Sequence, residues 1–320
     1  MGGVILFGRN VESAGQLAEL TNGLKQLNAD AVPLFLCVDE EGGRVSRMPE
    51  EVMDLPSADT FGQRHDASEL TRLGQTLGME CAAFGFNLDF APVADVRSNP
   101  ENTVIGDRAY SGDPGRAADA AAWVDGGMRE AGIISVWKHF PGHGNTATDS
   151  HQALPVVELS REDWARGDAV PFRRAVECGA PAVMAGHIRM TAFDPEYPAS
   201  LSHVLVSEVL REELGFTGVV CTDDLTMGAI SDTYGMGEAA VLAVEAGCDL
   251  LLVCHGADNL TQARQALLGA VDGGRISPAR LEESVYRILA LKAEYGLTNQ
   301  TVEAPDVAAL NQAVQALLGE

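Results

Sequence analysis

The feature that most constrains the fold is a series of seven short apolar runs, most of which end in a polar residue. The runs are too short for helices of ordinary length and are rich in β-branched residues, so they predict strands buried on both faces. They cover residues 3–7, 33–39, 87–93, 133–139, 182–187, 218–223 and 249–255.

Helical patterns separate these runs. Residues 14–27 carry apolar side chains at helical spacing, residues 205–214 end before Gly215, and residues 276–297 contain a Ser-Pro start at Ser277 and Pro278. A Gly after a helix and a Pro in its first turn are typical boundary signals. Strands alternating with helices predict a parallel sheet with helical crossovers, so the fold class that we predict is α/β, a (β/α)8 TIM-type barrel.

A doubly wound open sheet is the main structural alternative. Such a sheet usually carries a Gly-rich phosphate turn after its first strand, whereas here the first run is followed by Gly8-Arg9-Asn10. Because only seven runs are visible, we expect the first β/α unit of the barrel to be missing or irregular. The gap would leave two strand edges exposed, and we expect a neighbouring segment, a partner chain or further residues to cover them.

The domain organisation follows from length and pattern. A chain of 320 residues fits one large domain or two ordinary ones. We predict a catalytic barrel domain over residues 1–300 and a C-terminal connection with a helix at 307–318 over residues 301–320, without a second domain.

Charge and composition exclude several function classes. Lys and Arg number 22 against 46 Asp and Glu, a net charge of −24, which argues against nucleic acid or an anionic membrane as the partner. No run approaches the roughly 18 residues of a membrane span. The start lacks signal-peptide features, and the six cysteines are scattered, as in reduced proteins. We expect a cytoplasmic protein; an exported form stays open because the start looks shortened.

Ionisable residues close or follow most of the apolar runs. In a barrel the carboxyl ends of the strands form the active-site face, and buried charge at every strand end is costly unless it has a use. We therefore predict that these side chains converge on one mouth. They are Asp39, Asp95, Lys138, His139, His187, Asp223 and Asp224.

Residues 138–151, KHFPGHGNTATDSH, form the densest polar segment. Its three histidines suggest a zinc site, but Pro141 and Gly142 would break the helix on which two of them would share a face. Its glycines do not fit the phosphate-loop pattern G-x-x-x-x-G-K-[ST]. We therefore predict no metal and no cofactor. The histidines are His139, His143 and His151.

Two further interpretations of this segment involve proton transfer or nucleophilic attack. Lys138, if desolvated, could form a Schiff base. Alternatively, Lys138 and His139 grip a substrate while a flexible Gly-rich loop carries Asp149 and His151. An Asp beside a His can hold one imidazole tautomer and stabilise its charged form, so that the pair donates and later accepts a proton. Together with Asp223 as nucleophile, this Asp-His pair supplies the minimum set of groups that retaining glycoside hydrolysis requires, with a His in place of the usual carboxylic acid.

Four motifs together carry a resemblance to a known family. They are DEEGGRVSR at 39–47, GDRAYS at 106–111, KHFPGHG followed by DSH at 138–151, and TDDLTM at 222–227. The chain resembles glycoside hydrolase family 3, and within it the β-N-acetylglucosaminidase branch, from GGVILFGRN to the helix near residue 296. β-Glucosidases of this family generally lack the D-S-H loop.

The resemblance implies roles for particular residues. Asp223 would form a covalent glycosyl-enzyme, with His151 as general acid/base and Asp149 as its partner. Met227 would lie beside the nucleophile and contact substrate. The residues that would bind the hydroxyls of the sugar ring are Asp39, Arg47, Arg108, Lys138 and His139.

The function that we predict is a retaining exo-β-N-acetylglucosaminidase acting on a small glycan, such as a peptidoglycan-derived muropeptide. A phosphorylase of the same family is the first alternative, because a His donor repels incoming phosphate less than a carboxylate does. A lyase or aldolase that uses Lys138 and a sugar-binding protein without turnover are the others. The sequence makes no prediction of the oligomeric state.

Overall fold

The computed structural model describes residues 1–29, 31–146 and 154–319. Nine strands form in this part of the chain, and all are short. They are β1 (Gly3–Ile5), β2 (Phe35–Val38), β3 (Leu88–Asp89), β4 (Ile134–Phe140), β5 (Val156–Val157), β6 (Ala182–Ala185), β7 (Arg189–Met190), β8 (Val219–Asp224) and β9 (Leu250–Leu252).

Seven of the strands form one parallel sheet in the order β1-β2-β3-β4-β6-β8-β9. Each coincides with one of the seven apolar runs, and each pairs with the next along the chain. The remaining two, β5 and β7, pair with each other outside this sheet. The predicted α/β class and the parallel sheet are therefore confirmed.

A complete eight-stranded barrel is not formed by the described residues. The end strands β1 and β9 have no described strand on their outer edges. A largely apolar cavity of about 480 Å³ lies beside them, lined by Val4, Leu251 and Val253 among others. The sheet is thus a curled half-barrel of seven strands, and its gap lies where we expected the β/α unit to be missing or irregular.

Helices connect the strands and cover the outside of the sheet. A π-helix spans Val204–Glu213, and single 3-10 turns occur at Gly8–Asn10, Gly106–Arg108 and Ala199–Leu201. The α-helices are α1 (Ala14–Leu27), α2 (Ala58–Arg64), α3 (Ala67–Ala83), α4 (Pro114–Glu130), α5 (Arg161–Arg166), α6 (Ala169–Glu177), α7 (Gly228–Tyr234), α8 (Met236–Ala246), α9 (Ala257–Asp272), α10 (Pro278–Glu294) and α11 (Val307–Leu318).

Local sequence explains where several helices begin. Ser13, Asp113 and Ser277 cap α1, α4 and α10 by accepting a backbone N–H of the first turn, and Pro follows the cap in α4 and α10. The predictions for α1 and α11 are confirmed residue for residue. The helix predicted at 205–214 is present but winds as a π-helix, because apolar spacing over ten residues does not distinguish the two windings.

The apolar side chains of the sheet divide by alternation between its two faces. Phe35 and Cys37 of β2 join a buried cluster inside the curl, whereas Leu36 and Val38 pack outward against helices. This alternation is the period of a strand. The inside of the curl is therefore apolar, and part of it is open, because these side chains also line the cavity of about 480 Å³. The carboxyl ends of the strands are left for polar chemistry.

The last helix belongs to the outer layer of the same structure. Leu310, Val314 and Leu317 of α11 are buried in one cluster with Leu70 and Leu77 of α3. The domain boundary at residue 300 stays a prediction. None of the described helices is both long and apolar enough to cross a membrane.

Candidate active site

A cavity of about 590 Å³ opens at the carboxyl ends of the strands. Its lining includes the residues predicted for the sugar ring and for the nucleophile, together with Glu41, for which the sequence suggested no role. The predicted residues that line it are Asp39, Arg47, Arg108, Lys138, His139, Asp223 and Met227. The structure therefore brings these seven side chains together at one mouth.

Lys138 is the centre of a buried ion network on one side of this cavity. Its side chain is 2% exposed, and Nζ lies 2.7 Å from Oδ1 of Asp39 and 2.6 Å from Oε1 of Glu41. Arg108 donates to both oxygens of Glu41, from Nε at 2.7 Å and from Nη2 at 2.8 Å. Two cations and two carboxylates thus balance one another, which satisfies charges that would be costly alone.

The ion network shifts the pKa values of its members. Burial by itself would raise the pKa of Glu41, but Arg108 and Lys138 hold it well below its usual range. Burial would lower the pKa of Lys138, yet Asp39 and Glu41 raise it. Lys138 is therefore a firmly held ammonium, and this speaks against a Schiff base, which needs a neutral amine.

The turn after β2 is built around the carboxylate of Glu40. This buried carboxylate accepts hydrogen bonds from the Ser46 hydroxyl at 2.8 Å, the Arg47 backbone N–H at 2.8 Å and the Gly42 N–H at 3.3 Å. Gly42 has a φ of +75°, a conformation that residues with a Cβ rarely adopt. Glu40 thereby holds in place the turn that carries Glu41 and Arg47.

His139 is oriented by Asp95, which follows β3. The His139 Nδ1 lies 2.7 Å from Asp95 Oδ2, and the His143 backbone N–H donates to Oδ1 at 2.6 Å. The contact with Asp95 orients the ring through Nδ1 and leaves Nε2 available to a ligand. Although burial would raise the pKa of Asp95, the His139 side chain lowers it. The peptide bond between Lys138 and His139 is cis.

The adjacent acids at the end of β8 have different surroundings. Both oxygens of Asp224 accept hydrogen bonds, from the Thr226 N–H at 3.0 Å, the Thr226 hydroxyl at 2.6 Å and the Cys254 N–H at 3.0 Å. Asp223 accepts one hydrogen bond among the described residues, from the Asp224 N–H at 2.8 Å. Asp224 therefore anchors two loops, while Asp223 keeps lone pairs free toward the cavity.

Asp223 is ionised without a direct cationic partner among the described residues. Burial would raise its pKa, but the neighbouring His187 and His139 side chains lower it. The Asp224 N–H and Lys138 act in the same direction, and the result is a pKa below the usual range.

His187 after β6 supports the strand of the nucleophile. It is fully buried, with Nδ1 2.7 Å from the Ser200 hydroxyl and Nε2 2.9 Å from the Asp224 carbonyl oxygen. The carbonyl oxygen can only accept, so Nε2 carries a proton. Burial lowers the pKa of His187, the charge of Asp223 acts against that shift, and the ring holds the β8 backbone beside Asp223.

The first part of the segment after β4 is tightly packed. A Cβ on Gly144 would lie 1.7 Å from the Val96 carbonyl oxygen, and one on Gly142 would lie 2.5 Å from Cβ of Asp168. Asn102 donates to the His143 carbonyl oxygen at 2.8 Å. Sequence reasoning took these glycines as a source of flexibility; in residues 142–146 they permit close approach of backbone instead.

Two predicted catalytic residues, Asp149 and His151, lie outside the described residues. His151 is also one of the three histidines considered as zinc ligands. The described residues contain no group of three or more His, Cys, Asp or Glu side chains that could hold a metal. The described histidines of that set have other partners, since Nδ1 of His139 faces Asp95 and Nδ1 of His143 lies 2.7 Å from the Thr146 hydroxyl.

Sequence reasoning missed Glu41 and Glu40. The available signal was the run of three acids, Asp39-Glu40-Glu41, directly before two glycines. One buried acid beside a predicted cation site is ordinary, but three in sequence on one strand end require several partners. The Glu41 side chain points into the ion network and the Glu40 side chain points into the turn. This difference depends on the tertiary structure.

Comparison with known proteins agrees with the geometry. Residues 1–291 match the family model described as the glycosyl hydrolase family 3 N-terminal domain. A protein of Nitrosomonas eutropha named beta-hexosaminidase is 35% identical over 323 residues, which cover 98% of this chain and 92% of that protein.

Solved structures that superpose on this chain point to the same family. A glycoside hydrolase family 3 β-N-acetylglucosaminidase from Paenibacillus superposes with a TM-score of 0.92 at 40% identity, over 99% of this chain and 62% of that one. A β-glucoside phosphorylase, BglX, superposes with a TM-score of 0.88 at 27% identity, over 99% of this chain and 59% of that one. The family model matches most of the chain, and a cavity lined by the predicted site residues lies at the strand ends. The chain therefore belongs to glycosyl hydrolase family 3.

Proposed function

We propose that the protein is a retaining exo-β-N-acetylglucosaminidase. The observation that carries the proposal is Asp223, an acid of lowered pKa at a strand end, with free lone pairs and no Lys or Arg partner among the described residues. A carboxylate of this kind can attack an anomeric carbon and form a covalent glycosyl-enzyme. The beta-hexosaminidase name of a relative that matches 98% of this chain supports the substrate class.

The ion network provides the binding side of this mechanism. Hydroxyls of a pyranose ring need both donors and acceptors, and the network offers carboxylate acceptors from Asp39 and cationic donors from Lys138 and Arg108. His139 adds its Nε2, since Nδ1 is engaged with Asp95. Because these groups already hold one another, they are preorganised, and the ring binds without a large loss of side-chain entropy.

The substrate side of the proposal is tested with aryl glycosides. The enzyme should release p-nitrophenol from the β-N-acetylglucosaminide and not from the β-glucoside. A 2-acetamido-5-fluoro glycoside should trap a covalent adduct, and peptide mapping should locate the label on Asp223. The opposite substrate preference would overturn the N-acetylglucosaminidase assignment, and a label on another residue would overturn the role of Asp223.

For proton transfer we propose His151, with Asp149 as the residue that orients it. His151→Ala should damage a disaccharide substrate far more than an activated aryl glycoside, because only the poor leaving group needs a proton in the first step. Asp149→Ala should show the same pattern more mildly. Lys138→Ala is the matched control: it grips the ring and should weaken both substrates alike. Equal losses for all three variants would contradict a His151 acid/base.

Among glycan substrates we propose peptidoglycan-derived muropeptides with a terminal β-linked N-acetylglucosamine. A phosphorylase is the second candidate, because a β-glucoside phosphorylase superposes over 99% of this chain. Reaction in phosphate buffer separates the two. Hydrolysis yields free N-acetylglucosamine, whereas phosphorolysis yields the sugar 1-phosphate, and the latter as main product would favour the second candidate.

A further inference from the structure

Three buried acids form a cluster behind the active-site turn, between the sheet and α3. Glu40 follows β2, Asp89 is the last residue of β3 and Glu80 lies in α3. Each of them is no more than 1% exposed. Leu88 packs inside the curl, so by alternation Asp89 points outward, toward the helices. None of the three lines the active-site cavity, and the reaction described above gives Glu80 and Asp89 no role.

Asp89 fixes the backbone at the end of β2. Its Oδ1 accepts the Glu40 backbone N–H at 2.8 Å, and Asp89 is the register partner of Val38 in the sheet. Glu40 stands in the chain between Asp39 and Glu41, the two carboxylates of the ion network. Any movement of the Glu40 N–H therefore displaces both carboxylates relative to the cations that they bind. One hydrogen bond thus connects Asp89 to the sugar-binding side of the cavity.

Two oxygens of the cluster have no hydrogen-bond partner among the described residues. They are Oδ2 of Asp89 and Oε1 of Glu80, and both are buried. Leaving a buried acceptor unsatisfied costs more than an ordinary hydrogen bond gains. The Cys81 thiol faces Asp89, and burial together with this acid raises the pKa of the thiol, but a thiol is only a weak donor. A single proton held between Asp89 and Glu80 would satisfy both oxygens at once.

The charges around the cluster favour keeping a proton there. Burial raises the pKa of Glu80 well above its usual range, and its acidic neighbours act in the same direction. Burial also raises the pKa of Asp89 well above its usual range, although the hydrogen bond from Glu40 and the charge of Lys138 oppose the shift. The titratable and charged side chains that face the cluster from the surrounding elements are Asp39, Glu40, Arg47, Asp54, Cys81, Tyr110 and Lys138. Together with the pair itself, acids outnumber cations in this set.

We propose that Glu80 and Asp89 share one proton, and that Asp89 is a positioning residue which holds the end of β2 in place for sugar binding. With the proton present, the two acids stay together and Asp89 keeps the Glu40 N–H. When the proton leaves to solvent at alkaline pH, two buried carboxylates repel each other, and the ion network loses its geometry. The inference rests on the proposed function, because it assumes that the ion network grips the sugar ring.

The pH dependence of N-acetylglucosamine binding tests this connection. In the wild type, its inhibition constant against the aryl N-acetylglucosaminide should rise about tenfold from pH 6 to pH 10, the lower range for a hydrogen bond to a charged group. Burial would lower the pKa of Lys138, but Asp39 and Glu41 raise it, so loss of this cation does not cause the rise. Circular dichroism at each pH checks that the protein stays folded.

Matched variants separate the proton from the fold. Glu80→Gln carries a permanent N–H donor for Asp89, so it should bind the sugar within about twofold of the wild type at pH 6 and should lose the alkaline rise. Asp89→Leu removes the acceptor of the Glu40 N–H. Its inhibition constant should be raised about tenfold at every pH, with a smaller change in kcat, because ground-state binding is what it loses. Glu69→Gln is the control, since Glu69 lies in the same helix, is 8% exposed and pairs with Arg64; it should keep the wild-type rise.

Infrared spectroscopy detects the proton itself. A protonated carboxyl group absorbs through its C=O stretch, apart from the bands of ionised carboxylates. The wild-type spectrum at pH 6 minus that of Glu80→Gln, and minus that of Asp89→Asn, should show the same carboxyl band. Asp168, another buried acid whose pKa is raised, is present in all three proteins and cancels in the difference.

The outcomes distinguish this inference from the proposed function. A wild type whose inhibition constant stays level, or an alkaline rise that persists in Glu80→Gln, overturns the positioning role. The absence of a carboxyl band from both difference spectra overturns the shared proton, and would mean that water fills the space between the acids. A wild type that neither binds N-acetylglucosamine nor cleaves its aryl glycoside at any pH overturns the proposed function, whereas the infrared result still decides whether Glu80 and Asp89 share a proton.

Discussion

Two neighbouring parts of the cavity keep a carboxylate ionised in opposite ways. On the β2 side, Glu41 is enclosed by cations, with two hydrogen bonds from Arg108 and one ion pair to Lys138. On the β8 side, Asp223 has one backbone N–H as its hydrogen-bond donor among the described residues. Both acids have lowered pKa values, so the same charge state is reached by different means.

The difference follows from what each carboxylate does. A group that shapes a binding surface must be rigid, and direct ion pairs at 2.6 to 2.8 Å give that rigidity. A nucleophile must keep a lone pair for the substrate, and a direct ion pair would occupy it. Asp223 is kept ionised instead by its side-chain neighbours His187 and His139 and by a backbone donor, which leaves oxygen free to react.

The largest effect is expected at Asp223 itself. Asp223→Asn should lower kcat by several orders of magnitude, because the amide cannot form the covalent intermediate. Asp224→Asn is the matched control on the same strand. It should lower stability, since it disturbs the anchor of Thr226 and Cys254, but it should cost less activity. Turnover of an aryl N-acetylglucosaminide, with thermal melts of both variants, measures this. Greater damage from Asp224→Asn would mean that the two acids had been assigned in the wrong order.

The next effect concerns the ion network. Glu41→Gln leaves two buried cations with only Asp39 as counter-charge, and we expect kcat/KM to fall about a hundredfold, the scale of a 1 Å misplacement of a binding group. Glu40→Gln is the adjacent control. Burial raises the pKa of Glu40 to about 7, so loss of its charge should cost little. The amide NH2 of the variant replaces an oxygen that accepts from the turn, so we expect a lower melting temperature and a smaller loss of kcat/KM than in Glu41→Gln. Equal losses in the two variants would argue that Glu41 acts through the fold of the turn alone.

The smallest effect on activity is expected at Asp168, a third type of buried carboxyl. It is 3% exposed, and its Oδ1 has no hydrogen-bond partner among the described residues. Burial, reinforced by the charge of Asp95, raises its pKa to about 7. Between the usual pKa near 4 and pH 7, the folded protein binds a proton that the unfolded chain has released, so this group lowers stability as the pH rises.

Asp168→Asn should therefore gain stability over the wild type at pH 8, on the order of 3 kcal/mol, and gain little at pH 4. Urea unfolding at the two pH values measures the difference. Asp163→Asn is the opposite-sign control, because hydrogen bonds from Ser160 and Arg166 lower the pKa of that exposed acid. A gain for Asp168→Asn that is equal at both pH values would exclude ionisation of Asp168 as its cause.

Much of the fold and part of the site followed from sequence patterns. Short apolar runs at intervals specify strands that are buried on both faces, and the alternation with helices specifies a parallel sheet. A polar residue can close a buried strand only at an exposed end, so Asp39, Lys138 and Asp223 had to meet at one edge of the sheet. The caps at Ser13 and Ser277 are local: α1 begins at the predicted Ala14, and α10 begins at Pro278, inside the predicted range 276–297.

The tertiary structure decided what depends on contacts between distant segments. Glu40 and Glu41 are adjacent, but one faces its own turn and the other faces Arg108 and Lys138, many residues away. Gly144 looks like a flexible residue in sequence and proves to be a point of close backbone contact with Val96. Local patterns encode periodicity and caps, because these act within a few residues. Ion partners, pKa values and cavity walls arise from long-range packing, and only the folded chain determines them.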